Sequence, residues 1–484
     1  MRDETSSGRR SKGVGGPQSS DENRGTSDTG PGGAKAARVV TSFSEGNMTD
    51  ASTSEAMSPE LLKVAERAKR EPEGKFHSLA HLLTEDALAR SFQRLRRDAA
   101  AGVDGVTKEL YEQHLSENLR ELLARLKAKK YRHQPIRRVH IPKEKGTTRP
   151  IGISTVEDKV VQGAVREVLE AIYEQDFLDC SHGFRPRRSA HDAIRALNRV
   201  AQAGETNWLL EADIKGFFDN IDRTKLMEML QLRVCDGSLL GLVGKCLHVG
   251  VLDGEEYTAP EEGTAQGSVI SPMLGNIYLH YVLDRWFESE VKPRLRSKAT
   301  LVRYADDLVI GFAHREDAER VMRVLHQRME KYGLQLHPDK TRLLAFGRPS
   351  NGTSARKGPA SFDFLGFTHY WKRTRAGKWM VACKTRRARL CRAIKALYDW
   401  CRSHRHLEVK AQHAALVRRV EGHFNYFGVN GNTNALAQLV HWTRRAWQRW
   451  LNRRSQKAHM PWERFTDLLK KFPLPMARVK VQIW

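Results

Sequence analysis

LVRYADDLVIGF, residues Leu301–Phe312, decides the reading of this chain. Two apolar arms, LVRY and LVIGF, flank Ala305-Asp306-Asp307, so the stretch predicts a β-hairpin with two acids at its tip. Adjacent carboxylates in a tight turn repel each other unless a cation neutralises them, and hard oxygen ligands suit Mg²⁺. Asp is also common in ordinary turns, so the pair alone does not settle the matter. A third acid does. Asp213 closes a second apolar run, WLLEAD (Trp208–Asp213), and IKGFFDNID follows with Asp219 and Asp222. A buried strand ending in Asp and leading into Phe217 and Phe218 predicts delivery of a carboxylate to a site. Three such groups can hold two Mg²⁺ ions roughly 3.5–4 Å apart, the arrangement that activates an attacking 3′-oxygen and stabilises a leaving pyrophosphate. No histidine or covalent nucleophile is strictly required.

Outward from these acids, charge is the strongest signal. The 484 residues carry 82 Lys+Arg against 57 Asp+Glu, a formal charge of +25. A polyanion, nucleic acid first, is the default partner. The 40% hydrophobic content excludes wholesale disorder. No apolar run approaches the ~18 residues of a membrane span, and MRDETSSGRR has no signal-peptide core, so the expectation is a cytoplasmic protein without a membrane partner. Six cysteines without a C-x-x-C pair argue against a disulfide framework or a zinc finger. Residues 371–484 hold 26 Lys+Arg, only 5 Asp+Glu, and eight of the ten tryptophans. This region is expected to be almost wholly helical, for example over Gln412–Tyr426 and Asn434–Arg454. In the second helix Leu436, Leu439, Val440, Trp447, Trp450 and Leu451 fall largely on one side, with Arg444, Arg445, Arg449 and Arg453 around the rest. Trp442, Trp447 and Trp450 can stack on bases or form a core, and Trp447 and Trp450 are assigned to the core.

Residues 1–60 contain 29 Gly, Ser, Thr and Pro and predict a disordered leader. Helical periodicity follows over Glu60–Arg70, Leu83–Asp98 and Lys108–Lys130, interrupted by the turn AGVDGV (Ala101–Val106). RRVHIP (Arg137–Pro142) reads as a strand. Helices alternating with short strands predict an α/β or α+β arrangement over residues 61–370.

The ordered set YADD (Tyr304–Asp307), ADIKGFFD (Ala212–Asp219) and GTAQGSVISPMLGNIYL (Gly263–Leu279) resembles the palm motifs of reverse transcriptases. With IPKEKGTTRPIGI (Ile141–Ile153), HGFRPRRSAHDAI (His182–Ile194), GLQLHPDKT (Gly333–Thr341), FDFLGF (Phe362–Phe367) and HFNYFGV (His423–Val429), the whole is similar to the bacterial group II intron-encoded reverse transcriptase/maturases. The resemblance implies an α+β right-hand polymerase: fingers and palm over 61–370 with a small antiparallel sheet, a helical thumb or maturase domain over 371–432, and a basic helical nucleic-acid-binding tail over 433–484. It implies that Asp213, Asp306 and Asp307, with the backbone of Ile214, hold two Mg²⁺ ions as the catalytic set. Lys143, Arg149 and Lys340 would meet the triphosphate, Gln266 with Gly267 would form the nucleotide-site turn, and Phe218 would exclude a 2′-hydroxyl. Gly183, Phe184, Arg185 and Pro186 would contact the template, and Phe364, Leu365 and Gly366 the primer. Two positions depart from the family's pattern, Ala265 for proline and Gly275 for alanine.

The implied function is RNA-directed DNA synthesis coupled to binding, splicing and retrohoming of the chain's own group II intron RNA. Implied partners are that RNA, an RNA template with a DNA primer, dNTPs and target DNA. A homodimer is left open, since some relatives dimerise, and the expected location is the bacterial cytoplasm, at the nucleoid. Many relatives carry a C-terminal nuclease domain with cysteine pairs; no such motif precedes Trp484, so no endonuclease activity is expected. The rival readings are a domesticated reverse transcriptase of a defence or repair system, and a catalytically silent RNA-binding splicing factor. Intact Asp213, Asp306, Asp307 and Gln266 argue against the latter.

Overall fold

The computed structural model of the chain describes residues 57–142, 148–258, 262–264, 266–349, 361–455 and 459–484. The expected leader lies outside the described residues up to position 56. The first helix, α1 (Pro59–Arg70), starts where Ser58 accepts a hydrogen bond from the Leu61 amide and proline takes the first helical position. Next come α2 (Glu85–Gln93), α3 (Lys108–Glu112) and α4 (Leu115–Lys127). The single helix expected over Lys108–Lys130 is thus two helices, because His114 leaves helical geometry at φ −124°, ψ 36°.

A hairpin, β1 (Ile136–Pro142) and β2 (Thr148–Ile153), leads into α5 (Val156–Asp176), the spine of the first core; α1 and α2 pack on it. Then follow α6 (Ala190–Gln202), closed by a reciprocal Ser189–Asp192 capping box, β3 (Trp208–Asp213), α7 (Arg223–Gln231) and α8 (Gly237–Leu247). Two short strands, β4 (Val251–Asp253) and β5 (Glu256–Thr258), precede α9 (Ser271–Leu279), which continues through wider π-type turns at His280–Asp284 and Phe287–Val291. The chain proceeds through β6 (Thr300–Tyr304), β7 (Asp307–Phe312), α10 (Arg315–Lys331), β8 (Arg342–Ala345), β9 (Phe362–Phe364), β10 (Phe367–Arg373) and β11 (Trp379–Thr385). Helices α11 (Arg387–Ser403), α12 (Val409–Phe427), α13 (Thr433–Leu451) and α14 (Trp462–Lys471) follow.

Among the described residues three sheets result, in the orders β6-β7-β3-β8, β2-β1-β4-β5 and β11-β10-β9. The first is wholly antiparallel and positions the acids. Both of its faces are buried, which is why its strands read as apolar runs. Leu210, Ala212, Leu308 and Ile310 join a core with Val321 and Leu325 of α10, while Leu209, Val302 and Val309 face Ala193, Ile194 and Leu197 of α6. The second core also takes in β9–β11, α11–α14 and Ile483, so α6 ties the basic C-terminal region to the sheet. His191 Nε2 donates to the Tyr426 carbonyl at 2.7 Å, and Arg195 Nε donates to that of Gln482 at 2.8 Å.

A second expectation needs correction here: Trp371–Thr385 is not helical. It completes β10, turns, and forms β11. Period-two alternation governs here, with Trp371, Val381 and Cys383 buried and Lys372 and Lys384 exposed. The density of basic residues hides that alternation, because arginine and lysine side chains can cover apolar surface; the Arg373 guanidinium lies 5.0 Å from the Trp379 ring. Elsewhere the tryptophans sort as expected. Trp447 is fully buried with its indole N–H donated to Gln412 Oε1 at 2.9 Å, Trp450 is buried, and Trp442 is exposed. Among the described residues no helix is long and apolar enough to cross a membrane.

Candidate active site

The hairpin forms with Tyr304 paired to Asp307, leaving Ala305 and Asp306 as a two-residue turn. Ala305 sits at φ 55°, a left-handed conformation that costs a non-glycine residue roughly 1–2 kcal/mol. A buried polar cage holds it there. The Arg303 side chain, fully buried, gives Nε and Nη2 to the Asp284 carboxylate at 2.8 and 2.5 Å, Nη1 to the Ala305 carbonyl and Asn276 Oδ1 at 3.1 Å each, and Nη2 to Ser181 Oγ at 2.7 Å. Asn276 Nδ2 donates to the Gly183 carbonyl at 2.7 Å. Gly183 must be glycine: a Cβ there would stand 2.4 Å from the Ala305 nitrogen.

Antiparallel pairing places Asp213 directly opposite Asp307, so both carboxylates share one face of the sheet with Asp306 in the adjoining turn. Burial, with the neighbouring charges of Asp306 and Asp213, pushes the Asp307 carboxyl up to about 8. Burial also raises Asp306. Lys340 Nζ lies 2.6 Å from Asp213 Oδ2. Its segment is tied in by the Ile214–Leu336 bridge, where the His337 amide donates to the Asp213 carbonyl and the Lys215 amide to Gln335, both at 2.8 Å. Because those two bonds flank Ile214, the Ile214 carbonyl points to the opposite edge, the side of β7. Among the described residues no three His, Cys, Asp or Glu side chains stand together in a set that could hold a metal ion.

A raised carboxyl pKa has a definite stability consequence. Between the unfolded value near 4 and about 8 the folded state holds a proton that the unfolded state has lost, so this group's contribution falls as pH rises through that window. Metal-free Asp307→Asn protein is therefore expected to melt higher than wild type at pH 8, with the gap closing toward pH 4. Parallel melting curves across that range would expose the error.

The loop before α9 abuts this site. Gly152 N–H donates to the Gln266 carbonyl at 2.6 Å, and Gly267, at φ 105°, approaches the Gly152 carbonyl so closely that a Cβ would lie 2.6 Å from it. The β1–β2 hairpin is thereby seated beside the acids. Arg149, exposed on β2, extends its charge to Asp306 and Asp219, as Lys340 does to Asp306. Gln266 Oε1 is buried without a hydrogen-bond partner among the described residues. Lys143 and Ala265 lie outside the described residues. Phe218 is half-buried, its ring 5.0 Å from that of Phe217, and its carbonyl accepts from the Thr264 amide at 2.6 Å.

The remaining expected contacts divide. Phe184 is exposed at φ 56° and its ring lies 6.4 Å from Tyr304, beside the acids, with Pro186 half-buried next to it. Arg185 does not fit a phosphate contact: it is buried, paired with Glu174 at 2.8 Å, and donates to the Leu178 and Ser181 carbonyls. Its role is to fix the turn. Leu365 and Gly366, at φ 48° and 79°, make the two-residue β9–β10 turn after Phe364; the Tyr426 hydroxyl donates to the Leu365 carbonyl at 2.8 Å and the Arg386 amide to that of Gly366. The Ser181–Asn276–Asp284–Arg303 cage is absent from the sequence reading. Its one signal was Arg303, a charge inside an otherwise apolar strand arm.

Residues 141–369 match the family described as reverse transcriptase (RNA-dependent DNA polymerase), which places this α+β fold and its acid-bearing sheet in the polymerase class. The chain is 39% identical over 201 residues to the group II intron-encoded protein LtrA of Lactococcus lactis subsp. cremoris, covering 41% of this chain and 33% of that protein. It is 33% identical over 356 residues to protein YkfC of Escherichia coli K12, covering 66% of this chain and 90% of that one. A shorter match, 36% over 91 residues, relates it to nuclear intron maturase 1, mitochondrial, of Arabidopsis thaliana, 19% of this chain and 12% of that protein. The chain belongs to the reverse transcriptase family, among the group II intron reverse transcriptase/maturases. It spans about a third of the length of the Lactococcus relative.

Proposed function

We propose that this chain is an RNA-directed DNA polymerase that also binds its group II intron RNA, assists its splicing and copies it during retrohoming. The observation that carries the catalytic part is the register of β3 against β7, which sets Asp213 opposite Asp307 with Asp306 in the next turn. The three carboxylates do not converge into a ligand set as they stand, but they and the backbone carbonyl of Ile214 are hard oxygens of the kind that suits Mg²⁺, whose charge would draw them together. Asp213, Asp306, Asp307 and the Ile214 carbonyl would hold it. Bound there, the metal supplies Lewis-acid activation of the primer 3′-hydroxyl and charge neutralisation of the leaving pyrophosphate.

The chain's own residues do the rest. Arg149, Lys340 and Lys143 offer cations to the triphosphate, and the Gln266 side-chain oxygen Oε1, which has no partner among the described residues, accepts from the incoming nucleotide. Phe184 stacks on the template, while the Phe364–Gly366 turn supports the primer. In this reading the β6-β7-β3-β8 sheet is the palm, the β1–β2 hairpin belongs to the fingers, α11 and α12 belong to the thumb, and α13 and α14 to the basic tail. The intron part of the proposal leans on the names of the relatives and on the 26 Lys+Arg over residues 371–484. That charge predicts RNA binding with a steep salt dependence.

The test is extension of a DNA primer on an RNA template with Mg²⁺ and dNTPs, beside binding of structured intron RNA. Extension supports the polymerase. Tight RNA binding by folded protein that never extends a primer would favour the silent splicing factor instead.

The gate at Phe218 gives a finer prediction. A Cβ on Gly275 would lie 2.9 Å from Phe217 Cε1 and 3.0 Å from Phe218 Cε1. Both rings must therefore give, the half-buried Phe218 more readily than the buried Phe217. Gly275→Ala is expected to lower ribonucleotide incorporation relative to deoxynucleotide, at a stability cost of about 1–3 kcal/mol. An unchanged rNTP/dNTP ratio would remove Phe218 from that role.

A further inference from the structure

The helix α13 carries two opposite faces. Trp447, Trp450 and Leu451 are buried, but Trp442, Arg445, Arg449 and Arg453 recur at three- and four-residue steps along the outside. Together with Tyr398 of α11 and Trp462 at the start of α14 they line a half-open cavity of about 400 Å³. Its two indoles are 47% and 45% exposed, unusual for side chains of that size outside an interface. The Arg445 guanidinium lies 5.6 Å from the Trp442 ring, and that of Arg449 lies 5.7 Å from Tyr398. No acid lines the cavity, and among the described residues none pairs with these three arginines.

We propose that this cavity captures an unpaired nucleotide, its base stacking on Trp442 or Trp462 and the flanking phosphates lying on Arg445, Arg449 and Arg453. Charge complementarity selects the partner, since three arginines without a counter-acid require an anion. The exposed indole faces select its form. A base inside a duplex is already stacked, whereas an unpaired base is free to stack on an aromatic ring. The volume suits one nucleotide. This site lies on helices that carry none of the three acids. It rests on the proposed function only in taking nucleic acid as the partner, and it does not depend on polymerisation.

The test uses the full chain and three probes: a single-stranded oligo(U) of about 12 nucleotides carrying one 5-iodouracil, its deoxy counterpart, and a blunt duplex of the same length. Irradiation is expected to cross-link a single strand to the peptide containing Trp442 or Trp462, in wild type and in Asp306→Ala protein alike. Trp442→Ala with Trp462→Ala should weaken single-strand binding roughly 5- to 100-fold, as loss of one or two stacked bases does, and leave duplex binding nearly unchanged. Trp442→Phe should keep most of the affinity. Arg449→Gln should weaken binding and lower the salt slope by about one.

Preference for oligo(U) identifies RNA as the source, and preference for the deoxy strand a displaced DNA strand. Cross-links only outside α11, α13 and α14, with wild-type affinity in the double variant, would overturn the proposal. So would equal weakening of duplex and single strand, which reports backbone charge alone. A variant that loses self-association in sedimentation but binds every probe normally would make the patch a protein interface instead.

Discussion

Asp306→Ala is expected to lower primer extension by about a thousandfold or more, because in the proposed reading several kcal/mol of transition-state charge stabilisation would depend on a metal held by those acids. The variant should still fold. The carboxyl it removes is buried and raised in pKa, so the folded state loses nothing that stabilised it. Affinity for structured RNA should stay within about twofold, with the same salt slope, since phosphate contacts come from basic residues elsewhere and the site's acids only repel a polyanion. Primer extension, RNA binding over a salt series and a melting curve on the same preparation check all three. Equal loss of extension and RNA binding in folded protein would refute the separation of the two activities.

The second large effect concerns a residue that touches no substrate. Arg303→Met leaves the buried Asp284 carboxyl without its partner, and strips donors from Asn276, Ser181 and the Ala305 carbonyl. Breaking a buried pair in this way costs about 3–5 kcal/mol. A clear drop in melting temperature is expected, together with loss of extension, because Ala305 then has less to hold it at φ 55°. The double variant Arg303→Met, Asp284→Leu separates the two consequences. Removing both charges should restore most of the stability, since buried ion pairs contribute little net energy over apolar groups of similar size. It should not restore extension, because the donor to the Ala305 carbonyl is still missing. Full recovery of extension would show that the cage stabilises the protein without positioning the turn.

The two departures from the family's pattern have different fates. Gly275 is now explained by Phe217 and Phe218, whose rings occupy the space an alanine methyl would need. Ala265 lies outside the described residues, beside Gln266, whose backbone is anchored to β2 all the same.

The strands WLLEAD and LVRY-AD-DLVIGF, their acids and the turn between the arms were legible from local pattern. Each depends on local pattern, a short apolar run closed by a polar residue, and needs no knowledge of what packs where. Also legible were the basic C-terminal region and the burial of Trp447 and Trp450, since helical periodicity alone separates them from Trp442. Tertiary structure decided what local pattern cannot encode. Asp213 and Asp307 lie 94 positions apart, and only strand register makes them cross-strand neighbours. The cage draws Ser181, Arg303 and the Asn276/Asp284 pair on α9 and its continuation from three segments, and no spacing rule links those segments. Arg185 had the look of a phosphate contact until the fold surrounded it with Glu174 and two carbonyls. Arginine carries the same five donors in either setting, so its role is fixed by burial, a property of the folded chain.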